Sequence, residues 1–296
     1  MIGVDVGGTK ILSGVVDREG EVLSRHKIES PGSSEEDVLE ALDAAVETLL
    51  DDRIGAIGFG IPANLDRITG RVLSATNLPF DDFDLVAHAR ARFGLPVGIE
   101  NDANAATLAE WKLGAGRGTS NLSMLTLGTG VGGGLVLDNR LYRGWAEIGH
   151  MVVLAHGPLC QGHCHGRGHL EALASGTAAD RAARELWGPD ADAQVLVERA
   201  RAGDEDARAR VVEIGGFLGA AIASIANLFD PELVVVGGGF GEAAGELVLA
   251  PAREIARRDA LAPADETIRI VLAELGTEAG LIGAALVGFE ALDGAW

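Results

Sequence analysis

The chain is short of cysteine, of positive charge and of unbroken apolar runs. It holds 2 cysteines among 296 residues. Cys160 and Cys164 stand four positions apart in a Gly/His-rich loop. That placement suits a metal better than a disulfide and goes with a reducing, cytoplasmic setting. Lys and Arg number 24 against 44 Asp and Glu, a formal net charge of −20. A phosphate backbone is gripped by a basic face, and this balance leaves little to build one, so no nucleic-acid partner is expected. The acidic surplus reads as a solvating surface. No apolar run approaches the ~20 residues of a bilayer span, and Met1 leads at once into IGVDVGG, a strand with its turn. Neither a membrane partner nor a secretion signal is therefore expected.

What is present describes a globular chain. Hydrophobic residues make up 47% and charged residues 23%, a balance that excludes disorder. The length suffices for one large core, or for two smaller ones split by a cleft. The 42 glycines fall in short clusters, which argues for tight turns and for close approach of backbone to ligand. Polar chemistry gathers between Glu147 and Glu171, where five of the seven histidines and both cysteines lie. His150, Cys160, Cys164 and His169 can supply two imidazoles and two thiolates, and tetrahedral zinc takes four such ligands. His163 and His165 are rival ligands. A metal-free polar loop is the plainer alternative.

The patterning alternates strands and helices. Residues 2–6 read as a buried strand, GGTK as a turn, 11–17 as the returning strand and 21–28 as a third. A helix is expected over 34–50, capped by Ser33 or Ser34, with Val38, Leu39, Leu42, Val46 and Leu49 at helical spacing. Strands follow at GAIGFGIPA and at 97–102, then a helix at 103–112. The theme returns with a strand at 121–127, a glycine turn and LVLDN. Helices are expected at 177–187, 191–202 and 205–228, strands at 233–239 and 268–273, and a last helix at 279–292. Strand–glycine turn–strand thus occurs twice, at 2–17 and 121–138. This suggests two α/β lobes on one plan, divided near Trp111. Two ordinary hairpins would give the same pattern.

Three glycine turns could receive phosphate or nucleotide. DVGGTK (5–10) lets the amides of Gly7 and Gly8 face an anion, while Asp5 could hold the waters of Mg²⁺. LGTGVGGG (127–134) is a second cradle or a plain hairpin. VVVGGGF (234–240) follows a buried strand and precedes a helix, and there a base or ribose could lie on bare backbone. IENDAN (99–104) puts Asn101 and Asp102 at a strand end, where ligand-reactive groups gather in open α/β sheets. A simple helix cap explains the same residues.

Taken in order, DVGGTK, IENDANAATLAE, LTLGTGVGGG, EIGHM, the Cys/His loop ending in GHLE, ALASG and VVVGGG resemble the ROK family. That family comprises bacterial sugar kinases and sugar-responsive repressors within the actin-like ATPase/hexokinase superfamily. The resemblance runs from residue 3 to about 290. It implies a two-lobed α/β, actin-like ATPase (ribonuclease H-like) fold with a cleft between lobes. The N-terminal lobe would span 1–111 and the C-terminal lobe 112–282, with the helix 283–296 packing back on the first. The implied activity is ATP-dependent phosphorylation of a hexose at its primary hydroxyl, foremost glucose. N-acetylmannosamine, mannose, fructose or allose, and polyphosphate as donor, stay open, as does a non-catalytic sugar-binding protein.

By the same resemblance Asp102 is the catalytic base, and Asn77, Asn101, Asp102, Glu147, His150 and Glu171 contact the sugar. Asp5, Gly7, Gly8, Thr9 and Lys10 form the first phosphate motif. Gly128, Thr129 and Gly130 form the second, and Gly237, Gly238 and Gly239 the adenosine side. ATP with Mg²⁺, a structural Zn²⁺ and a homodimer or homotetramer are implied. Two departures stand out. The family's C-x-C-G-x-x-G-C reads here as C-x-x-x-C-H-G-R-G-H, with His169 in place of the last cysteine. In IPANLD (61–66), Ala63 stands where a glycine is usual and could narrow backbone approach to the sugar. A repressor would carry a helix-turn-helix before the kinase-like part, and a phosphate turn beginning at residue 3 leaves no room for one.

Overall fold

The computed structural model describes residues 1–8, 10–31, 34–66, 69–75, 78–162 and 164–294. The chain divides into two compact units. The first comprises Met1–Leu113, Arg143–Trp145 and Glu278–Trp296; the second comprises Gly114–Tyr142 and Ala146–Thr277.

In the first unit, β1 (Ile2–Val6), β2 (Lys10–Val16) and β3 (Val22–Glu29) form an antiparallel meander. Helix α1 (Glu35–Glu47) follows. Ser34 caps it by accepting from the Asp37 amide, and Val38, Leu42 and Val46 bury the stripe their spacing predicts. Strand β4 (Ile57–Ile61) then joins β1 in parallel. A small antiparallel sheet of β5 (Ala63–Leu65), β6 (Val72–Ala75) and β7 (Asp81–Phe83) leads to α2 (Leu85–Phe93). The sequence pattern does not announce these pieces, since strands of 3 or 4 residues give too few alternations to read. Strand β8 (Val97–Asn101) completes the order β3-β2-β1-β4-β8 and runs straight into α3 (Asp102–Leu113).

The register of this sheet lines up one glycine from each of four strands: Gly14, Gly3, Gly58 and Gly98 are successive partners. The C-terminal helix, Ala279–Leu292, lies on that row. A Cβ on Gly3 would overlap the Leu281 carbonyl, one on Gly58 the Ala284 carbonyl, and one on Gly98 would come 2.6 Å from the Val287 carbonyl. The helix repeats the device towards α3, where a Cβ on Gly283 would overlap the Ala105 carbonyl. Helix and strands thus meet backbone to backbone, closer than side chains allow.

The second unit repeats the plan. Strands β9 (Leu122–Leu127), β10 (Val131–Leu137), β11 (Arg140–Leu141), β12 (Leu233–Gly237) and β13 (Arg269–Leu272) take the order β11-β10-β9-β12-β13, with antiparallel pairs on one side of β9 and parallel pairs on the other. Its helices are α4 (Leu170–Ala174), α5 (Gly176–Trp187), α6 (Ala193–Ala202), α7 (Glu205–Phe229), α8 (Gly239–Ala244), α9 (Glu246–Asp259) and α10 (Ala264–Thr267). The helix expected after VVVGGGF appears as α8, while α9, which carries Pro251 within it, is not evident in the sequence. Contrary to the expectation of no span-length apolar segment, α7 is long and apolar enough to cross a bilayer by length and composition. Yet 56% of its most apolar window is buried, as in the central helix of a folded core.

Gly58→Ala should therefore cost about 3 kcal/mol or more, because overpacking against backbone cannot relax by a rotamer change. Gly216→Ala, on α7 with nothing within 4 Å of the added methyl, should be neutral or stabilising by up to about 1 kcal/mol. Chemical denaturation checks the pair, and equal effects would remove the close-approach argument.

Candidate active site

Two strand ends carry the acidic chemistry of the first unit. Asp5 sits near the end of β1, opposite Leu12 on β2 and Gly60 on β4. Burial pushes its carboxyl up to about 7, the charge of Asp102 adds to this, and Lys10 pulls the other way. Gly280 makes the room, since a Cβ there would stand 2.7 Å from Asp5 Oδ2. In the adjoining turn the Gly7 amide donates to the Lys10 carbonyl at 2.8 Å, while Gly8 and Lys10 are exposed. Thr9 and Asn77 lie outside the described residues.

Strand β8 hands over to α3 between Asn101 and Asp102. Asn101 Oδ1 accepts from the amides of Ala103 at 3.0 Å and Asn104 at 3.2 Å. The capping role, one of two readings of IENDAN, is thus what this side-chain oxygen performs. Asn101 Nδ2 donates to the Ala63 carbonyl at 3.5 Å, so buried Ala63 orients the amide with its backbone. Asp102 Oδ1 accepts from the Ala103 amide at 2.9 Å, and Asn101 and Asp102 both remain partly exposed.

In the second unit the turn between β9 and β10 is held from several sides. The Gly176 amide donates to the Gly128 carbonyl at 2.7 Å, and Thr177 Oγ1 donates to the Thr129 carbonyl at 2.8 Å. Glu171 Oε2 accepts from the Val131 amide at 3.0 Å and fills the space where Gly130 lacks a side chain. Nothing lies within 4 Å of a Cβ added at Gly128, which leaves that backbone open. Gly237 and Gly238 have a different reason to be glycine. A Cβ on Gly237 would crowd Ala273 and Met124, and one on Gly238, at φ +83°, would come 2.6 Å from the Leu127 carbonyl. Gly239 alone of the three leaves open space. Glu147 and His150 are exposed at the two ends of a short 3₁₀ turn, whose Ile148 and Gly149 pack on β10 through Gly133 and Val131.

The Cys/His loop brings its four expected ligands together. One donor atom from each of His150, Cys160, Cys164 and His169 lies within 4.8 Å of the others. His150 Nδ1 and His169 Nδ1 are 3.2 Å apart, Cys160 Sγ and His150 Nδ1 3.9 Å, and Cys164 Sγ and His169 Nδ1 3.5 Å. Tetrahedral zinc with Zn–N and Zn–S bonds of its usual lengths sets ligands about 3.3–3.8 Å apart, so the set fits. His165 is exposed and outside the group among the described residues; His163 lies outside them. Burial pushes the Cys160 thiol up to about 11, with Cys164 and Glu171 contributing. Metal binding here must therefore expel protons.

The ROK family model matches residues 1–289. The chain belongs to the ROK family. A glucokinase of Streptomyces coelicolor is 38% identical, with 96% of each chain covered. An N-acetylmannosamine kinase of Haemophilus influenzae is 35% identical over 96% of this chain and 93% of that one. Among solved structures, a ROK family glucokinase from Streptomyces griseus in complex with glucose and AMPPNP superposes with a TM-score of 0.87. It is 37% identical over 98% of this chain and 99% of the other. The mixed α/β architecture above is accordingly the actin-like ATPase fold of ROK kinases.

Within this ROK chain one residue escapes sequence reasoning. Gln161 occupies the lengthened spacing between the cysteines and donates to the Thr129 carbonyl at 3.2 Å and to Ser175 Oγ at 3.3 Å. It ties the metal loop to the glycine turn. The non-standard spacing is the signal that could have flagged it.

The raised pKa of Asp5 has a consequence for stability. Its ionisation is less favourable in the fold than in the unfolded chain, so this contribution is present below about pH 4 and is lost as pH rises through about 7. Without divalent cations, Asp5→Asn should melt several degrees above the parent at pH 8, with no gap at pH 4. Equal melting temperatures at pH 8 would show that Asp5 carries no such burden.

Proposed function

We propose that this chain transfers the γ-phosphoryl group of ATP to the primary hydroxyl of a hexose, with glucose as the preferred acceptor. The observation that carries the reading is full-length similarity to glucokinases, at 38% identity over 96% of both chains, so that neither unit lacks a counterpart. The second reading, phosphorylation of N-acetylmannosamine, is favoured by the 35% identity to kinases of that sugar.

In this mechanism Asp102 is the base. It orients the sugar hydroxyl and takes its proton as the oxygen bonds to phosphorus. Asn101 presents its amide to a neighbouring hydroxyl, its orientation set by Ala63 and by its capping bonds. Glu147, His150 and Glu171 are the further sugar contacts, and carboxylates so used reject analogues that lack a hydroxyl. Glu171 spends one lone pair of Oε2 on the Val131 amide and keeps others for a hydroxyl. The Gly7 and Gly128 amides are spent on the Lys10 and Gly130 carbonyls, so the Gly8, Thr129 and Gly130 amides receive the phosphate oxygens, and the open backbone at Gly239 meets the nucleoside. Asp5 would hold Mg²⁺, which neutralises phosphate charge. His150, Cys160, Cys164 and His169 would hold a structural Zn²⁺, leaving Nε2 of His150 for the sugar. The family resemblance also leads us to expect a homo-oligomer.

A panel of hexoses against MgATP, read by ADP release, decides the acceptor; activity on N-acetylmannosamine alone would transfer the assignment to the second reading. Asp102→Asn should retain sugar binding and lose about 10²–10⁴ in kcat, and an unchanged kcat would strip Asp102 of its role. Elemental analysis should find about one zinc per chain, and chelation should lower Tm and raise KM for ATP through Gln161 and Glu171. Zinc-free protein with parental Tm and activity would reduce the loop to ordinary structure.

A further inference from the structure

Glu100, immediately before the Asn101–Asp102 pair, is only 5% exposed. A carboxylate so buried keeps its charge only when its lone pairs are met. Oε1 accepts from the Asn101 amide at 3.0 Å and from Asn104 Nδ2 at 3.1 Å. Oε2 accepts from Arg143 Nε at 2.7 Å, and the same guanidinium gives its Nη2 to Glu290 on the C-terminal helix. Glu100 thus grips residues on both sides of Asp102. Arg143 in turn fixes how Glu100 can point. It comes from the three-residue excursion Arg143–Trp145, which leaves the second unit to join the first. It also stands four residues before Glu147 in the sequence.

We infer that Arg143 is a positioning residue for phosphoryl transfer: through Glu100 it holds the turn that aims the Asp102 carboxylate, with Glu290 as its second anchor. This inference rests on the reading of Asp102 as the base. The fork of a guanidinium reaches two carboxylates at fixed angles, which an ammonium does not. Without Arg143, buried Glu100 has an oxygen with no charged partner, and the acceptor that shapes the turn is no longer held in place.

The test is steady-state kinetics on folded full-length variants. Arg143→Ala should lower kcat about 10- to 100-fold, the scale of a small misplacement of a catalytic group. KM for MgATP should stay within about twofold, because no nucleotide contact is lost. Added methylguanidinium should restore part of kcat in Arg143→Ala and do nothing to the parent; Arg143→Lys should recover little. Parental kcat in Arg143→Ala would overturn the inference. So would a loss shared with KM for MgATP and indifferent to methylguanidinium, the mark of general loosening. If Arg143→Ala fails to fold, Glu290→Gln decides, with a three- to tenfold fall in kcat expected at about constant KM and parental kcat overturning the claim. A parent inactive on every hexose would instead sink the assigned function, and a fully active Asp102→Asn the base, each separately from the part given to Arg143.

Discussion

The contact between the C-terminal helix and the glycine row of the first sheet sets the geometry on which the chemistry of that unit rests. Gly14, Gly3, Gly58 and Gly98 give up side chains on four adjacent strands, and the helix takes their place. Contacts between backbones have no rotamers to adjust, so helix and strands cannot slide without breaking many contacts at once. The strands so fixed carry the candidate site residues: β1 carries Asp5, β4 leads to Ala63, and β8 ends in Asn101, next to Asp102. The same helix shapes the site directly, at Gly280 by leaving room for Asp5 and at Glu290 by anchoring Arg143.

The second unit reaches a comparable rigidity by other means. Its glycine turn has no helix laid across it, and the turn backbone is instead held by Glu171, Gln161, Thr177 and Gly176. Two of these belong to the Cys/His loop or its edge. The loop is short of apolar material, and Val152, Leu154 and Leu159 stay exposed. A segment that buries so little needs another source of order, and a metal held by its four converging donors, as proposed above, would supply it. Glu171 and Gln161 thus link the Cys/His loop to the glycine turn through hydrogen bonds.

How much of this could be read from the sequence follows from the range of each interaction. The meanders, α1 with its Ser34 cap, and the handover at Asn101–Asp102 depend on neighbours within a few residues, and their patterns were legible. The His150, Cys160, Cys164, His169 set was legible too, because ligand chemistry restricts the candidates so tightly. The glycine row was not. Gly3, Gly58 and Gly98 look like loose glycines until the register makes them partners, and only the position of the helix explains why no side chain is tolerated. Clusters attract a ligand-binding interpretation, yet Gly237 and Gly238 are glycine to fit β9 and β13 neighbours. Arg143 was illegible for a similar reason, since its partners lie 43 and 147 residues away.

Asp5 and Asp102 complete the argument. Burial raises the pKa of Asp5, the charge of Asp102 adds to it, and Lys10 only partly compensates. A sequence selected for stability alone would replace one of them, as local rules fail most often where function requires it. The arrangement makes sense if a divalent cation supplies the missing positive charge when nucleotide binds. Under the proposed function, a cation bound there would offset the burial and repulsion that disfavour an ionised Asp5, and that relief would add to its affinity. The helix–sheet contact is what keeps the two carboxylates together; in a looser unit they would move apart and that contribution would be lost.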